Sequence, residues 1–181
     1  SIPTFIHKDS NQKTTHAKVI AGSIESTLAP APAPDSWAAD KNNEVAIWTI
    51  KMEPGAQWDL PVASASVNRS LYFYDGDSVQ IADKKFSTHQ AVELYANQLV
   101  TLVNGDSESS FLLLQGKPIG EPVVQHGPFV MNSQAEIQQA MNEYRKTEFG
   151  GWPWSSYEHG HPREKSRFAL YPDGREEVKN L

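Results

Sequence analysis

The chain has 181 residues, 39% of them apolar and 21% charged, which is typical of a soluble domain with a core of its own. Its net charge of −6, without a basic run, argues against direct electrostatic binding to nucleic acid. The absence of cysteine excludes disulfides, thiolate nucleophiles and cysteine-ligated zinc, and it is consistent with a cytoplasmic protein. We expect neither a membrane span nor a signal peptide, because the apolar runs are short.

The first residues predict a lead-in, one strand and a stiff loop. Residues 1–16 are polar and predict a lead-in or linker, and residues 17–22 predict a short strand that ends at Gly22. Residues 29–34 alternate alanine and proline. Because proline fixes φ and has no N–H, this segment predicts an extended loop. A spacer over the domain surface is the favoured interpretation, and a proline-rich recognition motif is the alternative.

The middle of the chain predicts an antiparallel β-domain. Asp75-Gly76 after an aromatic strand predicts a hairpin, and Asn104-Gly105 predicts a second turn, because glycine tolerates a positive φ. Many short strands with such turns favour a barrel or sandwich. The predicted strands are residues 44–52, 71–74, 78–82, 91–95, 98–103 and 111–114.

One helix is predicted after residue 131, followed by an aromatic tail. Ser133 and Glu136 form a capping box, and Gly150-Gly151 ends the helix. One apolar stripe follows the helical period: Ile137, Met141 and Tyr144. The domain boundaries are therefore a lead-in at 1–16, a barrel at 17–131, a helix at 132–149 and an extended tail at 150–181.

Several motifs occur in one order along most of the chain, and together they resemble the C-terminal half of the pirin family of two-domain cupins. They are AKVIAG (17–22), PGAQWDLP (54–61), GKPIGEPVVQHGPFVMN (116–132), FGGWPW (149–154), HPRE (161–164) and RFALYPDGREE (167–177). The resemblance implies an all-β fold: a single cupin-type antiparallel β-barrel, or jelly roll, with one C-terminal helix and an extended tail. It also implies that the metal-binding N-terminal cupin is absent from this sequence.

The family's first barrel holds iron through three histidines and one glutamate, in a motif H-x-H-(x)3–4-E with a later histidine. Such a ligand set leaves open positions for dioxygen and substrate. The corresponding region here, residues 58–76, has no histidine, and its only carboxylates are Asp59 and Asp75. Residues 100–114 also lack histidine. We therefore expect no metal in this segment, with iron only in the absent N-terminal cupin, and we assign no catalytic, cofactor-binding or metal residue.

Four histidines elsewhere in the chain are weaker candidates. The segment E-H-G-H-P-R-E contains Glu158, His159, His161 and Glu164. An H-x-H pair on a strand points both rings to the same side and can chelate a metal. Glycine and proline disfavour a strand there, so we favour a solvated loop whose arginines, Arg163 and Arg167, pair with carboxylates. His126 has no evident partner for general-base catalysis, and His89 is predicted to face solvent.

Two groups of aromatic residues are considered for binding roles. Trp58 with Tyr72, Phe73 and Tyr74 either packs in and around the core, which is favoured, or lines a small-molecule cavity at the barrel mouth. The tail residues Trp152 and Trp154 are candidate interface anchors.

The leading hypothesis is a metal-free C-terminal cupin with a structural and interaction role. Its partner is the N-terminal metal cupin, or a second copy bound through the tail. The resemblance implies a part in regulating transcription factors, and as the alternative an iron-dependent, quercetinase-like dioxygenase with its active site in the N-terminal half. A small-molecule binding module is the third hypothesis.

Overall fold

The computed structural model describes residues 2–157, 160–161, 163–165 and 167–179. The chain divides into two compact units: unit 1 ends at Gly120 and unit 2 begins at Glu121. Within the described ranges, no helix is both long and apolar enough to cross a membrane. The strands of unit 1 are β1 (Thr4–Lys8), β2 (Thr14–Ala21), β3 (Ser23–Ile24), β4 (Thr27–Leu28), β5 (Ala46–Met52), β6 (Gln57–Leu60), β7 (Asn68–Asp75), β8 (Ser78–Ile81), β9 (Lys84–Ser87), β10 (Gln90–Tyr95), β11 (Val100–Asn104) and β12 (Ser109–Gly116).

Unit 1 is built from two antiparallel sheets. The larger sheet has the order β1-β2-β5-β12-β7-β10, and the smaller has the order β6-β11-β8-β9. In the larger sheet, Phe111 of β12 lies opposite Ile50 of β5 on one side and Phe73 of β7 on the other. The predicted class, an antiparallel β jelly roll, is confirmed.

The two sheets share one apolar core because alternate side chains of each strand point inward. On β5 the buried residues are Ala46, Trp48, Ile50 and Met52. Trp48 meets Trp58 of the smaller sheet with 6.3 Å between ring centroids, and Phe73 stacks on Phe111 at 4.8 Å. Each such side chain contributes about 1.5–3 kcal/mol on burial, so this core is what stabilises unit 1.

The turn at Asp75-Gly76 joins the two sheets and is not a hairpin, so that prediction is wrong. β7 pairs with β10 and β12 in the larger sheet, whereas β8 pairs with β9 and β11 in the smaller one. Asn104-Gly105 also makes a turn, and it joins β11 in the smaller sheet to β12 in the larger. The aspartate–glycine pair allows a sharp turn, but which strands then pair is set by contacts distant in sequence.

Residues 1–16, for which the sequence predicts a lead-in, include β1 and the first residues of β2. β1 pairs antiparallel with β2 at the edge of the larger sheet and buries Phe5. Asp9 holds the intervening turn: its Oδ1 accepts from the N–H of Asn11 at 2.8 Å and of Lys13 at 3.0 Å, and its Oδ2 accepts from the N–H of Gln57 at 2.9 Å. The carboxylate thus connects this turn to the start of β6.

Unit 2 contains two hairpins and one α-helix in its described residues. β13 (Val124–His126) pairs with β14 (Phe129–Met131), α1 covers Gln134–Thr147, and β15 (Arg167–Leu170) pairs with β16 (Glu176–Lys179). The last hairpin lies in the region predicted as an extended tail.

The predicted capping box is confirmed. The N–H of Glu136 donates to Ser133 Oγ, and the Glu136 carboxylate accepts from the N–H of Asn132 at 3.1 Å. The helix ends at Thr147, before Gly150, because Glu148 adopts a left-handed conformation with φ of 50°.

Candidate functional site

The region where the family's metal motif would fall contains no ligand set. Trp58 and Leu60 point into the core, whereas Asp59 points away and accepts from Thr101 Oγ1. Asp75 is exposed at the end of β7. Among the described residues, no three His, Cys, Asp or Glu side chains converge as metal ligands. The donor set that iron requires in this family therefore does not fit the residues that occupy these positions.

In the described part of the chain, none of the candidate histidines lies in a group of side chains that could act together in catalysis. His126 is exposed on β13, and His89 is an exposed turn residue whose N–H donates to Phe73 O at 2.7 Å. His161 makes an edge contact with Phe168, 5.0 Å between ring centroids. Glu158 and His159 lie outside the described residues. The ion pairs of this region join Lys165 to Glu176 and Arg175 to Glu177 in the described residues.

The predicted aromatic cluster is divided between two faces of the larger sheet. Phe73 is buried in the core, like Trp58, whereas Tyr72 and Tyr74 are exposed on the outer face of β7. Strand alternation forces this separation, because neighbouring residues on a strand point to opposite sides. The cluster therefore does not line one cavity.

A different cavity, of about 870 Å³, lies within unit 1. That volume is in the range of small-molecule sites. The Ala-Pro loop, predicted as a surface spacer, forms one wall through residues 29–32, and Ile20 lines it from the position where β2 and β5 shift register. Trp48, Arg69 and Gln115 line it from the larger sheet.

Arg69 is the only charged side chain buried among the described residues, with 1% of its surface exposed. Its Nε donates to Gln115 Oε1 at 2.7 Å, and its Nη2 donates to Pro61 O at 2.8 Å and also to Gln115 Oε1. Gln115 is oriented in turn by donating to Glu44 O at 2.9 Å. Burial lowers the pKa of the Arg69 guanidinium, and the negative charge of Glu44 opposes that shift.

Two of these lining residues each have one fully buried donor without an acceptor among the described residues: Nη1 of Arg69 and Nε1 of Trp48. Sequence reasoning missed both residues. A signal was present for Arg69, because it has the same parity on its strand as the inward Leu71 and Phe73. A charged residue at an inward position is uncommon and marks a buried polar site.

Residues 47–150 match the model of the pirin C-terminal cupin domain family. A putative quercetin 2,3-dioxygenase of Vibrio cholerae is 34% identical over 132 residues, which are 73% of this chain and 41% of that protein. Pirin of Homo sapiens is 36% identical over 105 residues, 56% of this chain and 36% of that protein. A crystal structure described as quercetin 2,3-dioxygenase from Acinetobacter baumannii has a TM-score of 0.66 and 27% identity, covering 82% of this chain and 48% of that one.

These likenesses and the two-sheet jelly roll define the class of the chain as a cupin. The family match covers more than half of the chain, and the chain belongs to the pirin family, where it corresponds to the C-terminal cupin domain. It spans less than half the length of the relatives named above.

Proposed function

We propose that this chain is a metal-free C-terminal cupin domain whose role is structural, supporting a metal-binding N-terminal cupin through protein contacts. The observation that supports this proposal is the packing of side chains inside unit 1. Apolar side chains from both sheets pack together there, and the positions that match the family's metal motif carry core residues or outward-facing ones. A domain with this interior contributes through its surface.

A partly exposed aromatic cluster in unit 2 supports the interaction role. Trp152 lies 4.7 Å from Trp154 and 6.0 Å from Tyr157 between ring centroids, and Tyr157 is 78% exposed. Exposed aromatic rings are enriched in the contacts that dominate binding energy at interfaces. The partner is the N-terminal cupin half, since the relatives that this chain matches are more than twice as long as the matched segment. A regulatory role would then act through protein, in keeping with the net charge of −6.

Metal analysis tests the first part of the proposal. The purified chain is loaded with ferrous iron without oxygen, dialysed against a chelator, and measured by mass spectrometry of the metal. We expect far less than one iron per chain. One equivalent that survives the chelator would refute the metal-free assignment.

A matched pair of tyrosine variants tests the interaction role. Tyr157→Ser removes a ring from the aromatic cluster, and Tyr95→Ser removes an equally exposed ring, 77%, from β10 of unit 1. Binding to the N-terminal half of the Vibrio cholerae relative is measured by sedimentation, with self-association of the chain measured in parallel. We expect Tyr157→Ser to weaken association by about tenfold, the effect of losing an interface anchor, and Tyr95→Ser to leave it unchanged. Equal effects of both variants would contradict the assignment of the cluster.

The second candidate is a quercetinase-like dioxygenase activity of an intact two-domain protein, with iron in the N-terminal half. It is favoured by the relative of Vibrio cholerae and the structure from Acinetobacter baumannii, both described as quercetin 2,3-dioxygenases. Under this candidate the active site lies in the N-terminal half, so quercetin consumption by this chain with ferrous iron and oxygen tests only for a further catalytic site in these residues. We expect no turnover by this chain, and turnover by it would reveal a site in these residues.

A further inference from the structure

The outer face of the larger sheet has an apolar centre. Leu112 and Leu114 alternate with buried residues of β12 and so point outward, where Leu114 lies opposite Ile47 of β5 and Leu112 lies opposite Tyr72 of β7. Leu114 is 36% exposed and Tyr72 is 40% exposed. The outward face of an antiparallel sheet is ordinarily polar, so adjacent apolar side chains on its middle strands indicate a surface that another molecule covers. We call these four residues the outer patch.

The charged side chains around the outer patch are separated by sign. Strands β1, β2 and β5 lie on one side of β12, and their outward basic residues are Lys8, His16, Lys18 and Lys51. On the other side, β10 has the outward Glu93, and Asp75 is exposed at the end of β7. Lys51 is paired with Glu108, which precedes β12. Neither Lys18 nor Glu93 forms an ion pair within the described ranges, so both charges are available to a partner.

This separation makes the face complementary to a second copy of itself. A two-fold axis along β12 places β5 of one copy over β7 of the other, and β2 over β10, because these strands flank β12 symmetrically. Leu112 and Leu114 then lie over their equivalents. Lys18 is in register with Ala91 of β10, two residues or about 7 Å along the strand from Glu93, a distance that a lysine side chain spans. Each copy therefore presents its lysine to the glutamate of the other.

The size of the face suits a reversible dimer. The five strands from β2 to β10, spaced about 4.8 Å apart, and a strand of seven residues such as β5 give a flat area of roughly 600 Å² per copy. Specific interfaces typically bury about 800 Å² per partner, and weak ones bury less. We therefore expect a dissociation constant in the micromolar range, on the order of 10–100 µM.

We propose that the outer face of the larger sheet binds a second copy of this chain, in a symmetric dimer whose outer patches pack together and whose Lys18 and Glu93 pair across the interface. One surface supplies both the apolar centre and two flanks of opposite charge, which is what an interface between identical copies requires. The surface lies in unit 1, whereas the aromatic cluster of the proposed interaction role lies in unit 2, so the dimer does not depend on that role.

Sedimentation equilibrium of the 181-residue chain, between about 1 µM and 1 mM, tests for the dimer. Tyr72→Ser removes a ring from the outer patch and is expected to weaken the dimer at least about tenfold, as the loss of an interface anchor does. Tyr157→Ser is the matched control, because it removes an exposed ring from unit 2. It is expected to leave the dimer unchanged.

Charge reversal tests the pairing of Lys18 with Glu93. Lys18→Glu and Glu93→Lys each place like charges across the interface, and each is expected to weaken the dimer at least about fivefold. Lys84→Glu, on the exposed β9 of the smaller sheet, changes the net charge equally and is expected to have no effect. An equimolar mixture of the two weakened variants restores both attractive pairs, so it is expected to associate like the unmodified chain.

A measurement on the unmodified chain protects the test from misfolded variants. The methyl resonances of Leu114 are expected to shift on dilution through the dissociation range, whereas those of Leu28, 70% exposed outside the outer patch, are not. A chain that stays monomeric to about 1 mM overturns the proposal and leaves the N-terminal cupin half as the occupant of this face. Equal weakening by Tyr72→Ser and Tyr157→Ser, a mixture that does not recover, or unshifted Leu114 resonances each overturn it as well.

Discussion

Adding one methyl group at the corner between the two sheets is predicted to be severely destabilising. Gly76 has a φ of +125°, and a Cβ placed there overlaps Ser109 Oγ and lies 2.9 Å from Ser109 Cβ and 3.0 Å from Phe73 Cε2. The backbone strain of Gly76→Ala costs about 1–2 kcal/mol. Forcing an atom into a packed site costs about 1–3 kcal/mol more. We expect a total of roughly 2–5 kcal/mol, which lowers the melting temperature by about 4–20 °C for a chain of this length.

The assay is urea unfolding, in which a change of midpoint at constant slope reports stability alone. Gly55→Ala is the matched control, because Gly55 has a φ of +72° and a Cβ added there meets no atom within 4 Å, so only strain of about 1 kcal/mol remains. Ser109→Gly in the Gly76→Ala background removes the overlapping hydroxyl and should restore part of the loss. An equal loss of stability in Gly76→Ala and Gly55→Ala would show that a methyl group at Gly76 is not crowded.

Three further outcomes follow from contacts described above. Burial raises the pKa of Asp9, but its three backbone N–H donors lower it by more, so the folded pKa lies below the unfolded one. The Asp9 carboxylate therefore stabilises the folded state above the unfolded pKa of about 3.9, and this contribution is lost as the pH falls through the lower folded pKa. The stability gap between the unmodified chain and Asp9→Asn should accordingly close below about pH 4 in urea titrations. Ser133→Ala removes the cap of α1 and should cost about 1 kcal/mol, seen as lower helical circular dichroism on heating; an unchanged melt would contradict the cap. Phe111→Ala should cost about 3–5 kcal/mol, whereas Tyr72→Ala on the outer face should cost far less; similar losses would place both rings in one environment.

Much of the local structure was predictable because it depends on neighbouring residues. Alternation along a strand is sufficient to put Trp48 and Ile50 on one face of β5, and the spacing of Ser133 and Glu136 predicts the start of α1. Sheet pairing was not predictable in this way. The turn at Asp75-Gly76 satisfies the local rule for a hairpin, but β7 pairs with strands made much later in the chain.

The candidate site was harder to predict because it combines four distant segments. The Ala-Pro loop carries no chemistry of its own, and Gln115 and Pro61 matter only as acceptors for Arg69. The one local signal of this site was the position of Arg69 on β7, where strand alternation puts it on the same side as the inward Leu71 and Phe73.

The position of β12 has a consequence for biosynthesis. It is the last strand of unit 1 to leave the ribosome, yet it occupies the middle of the larger sheet, between β5 and β7. Until it emerges, β2-β5 and β7-β10 are two separate halves whose facing strand edges have no partner. Such edges invite pairing with other chains. A nascent polypeptide arrested before residue 109 should accordingly aggregate or recruit chaperones, and release of the next eight residues should let the two halves join.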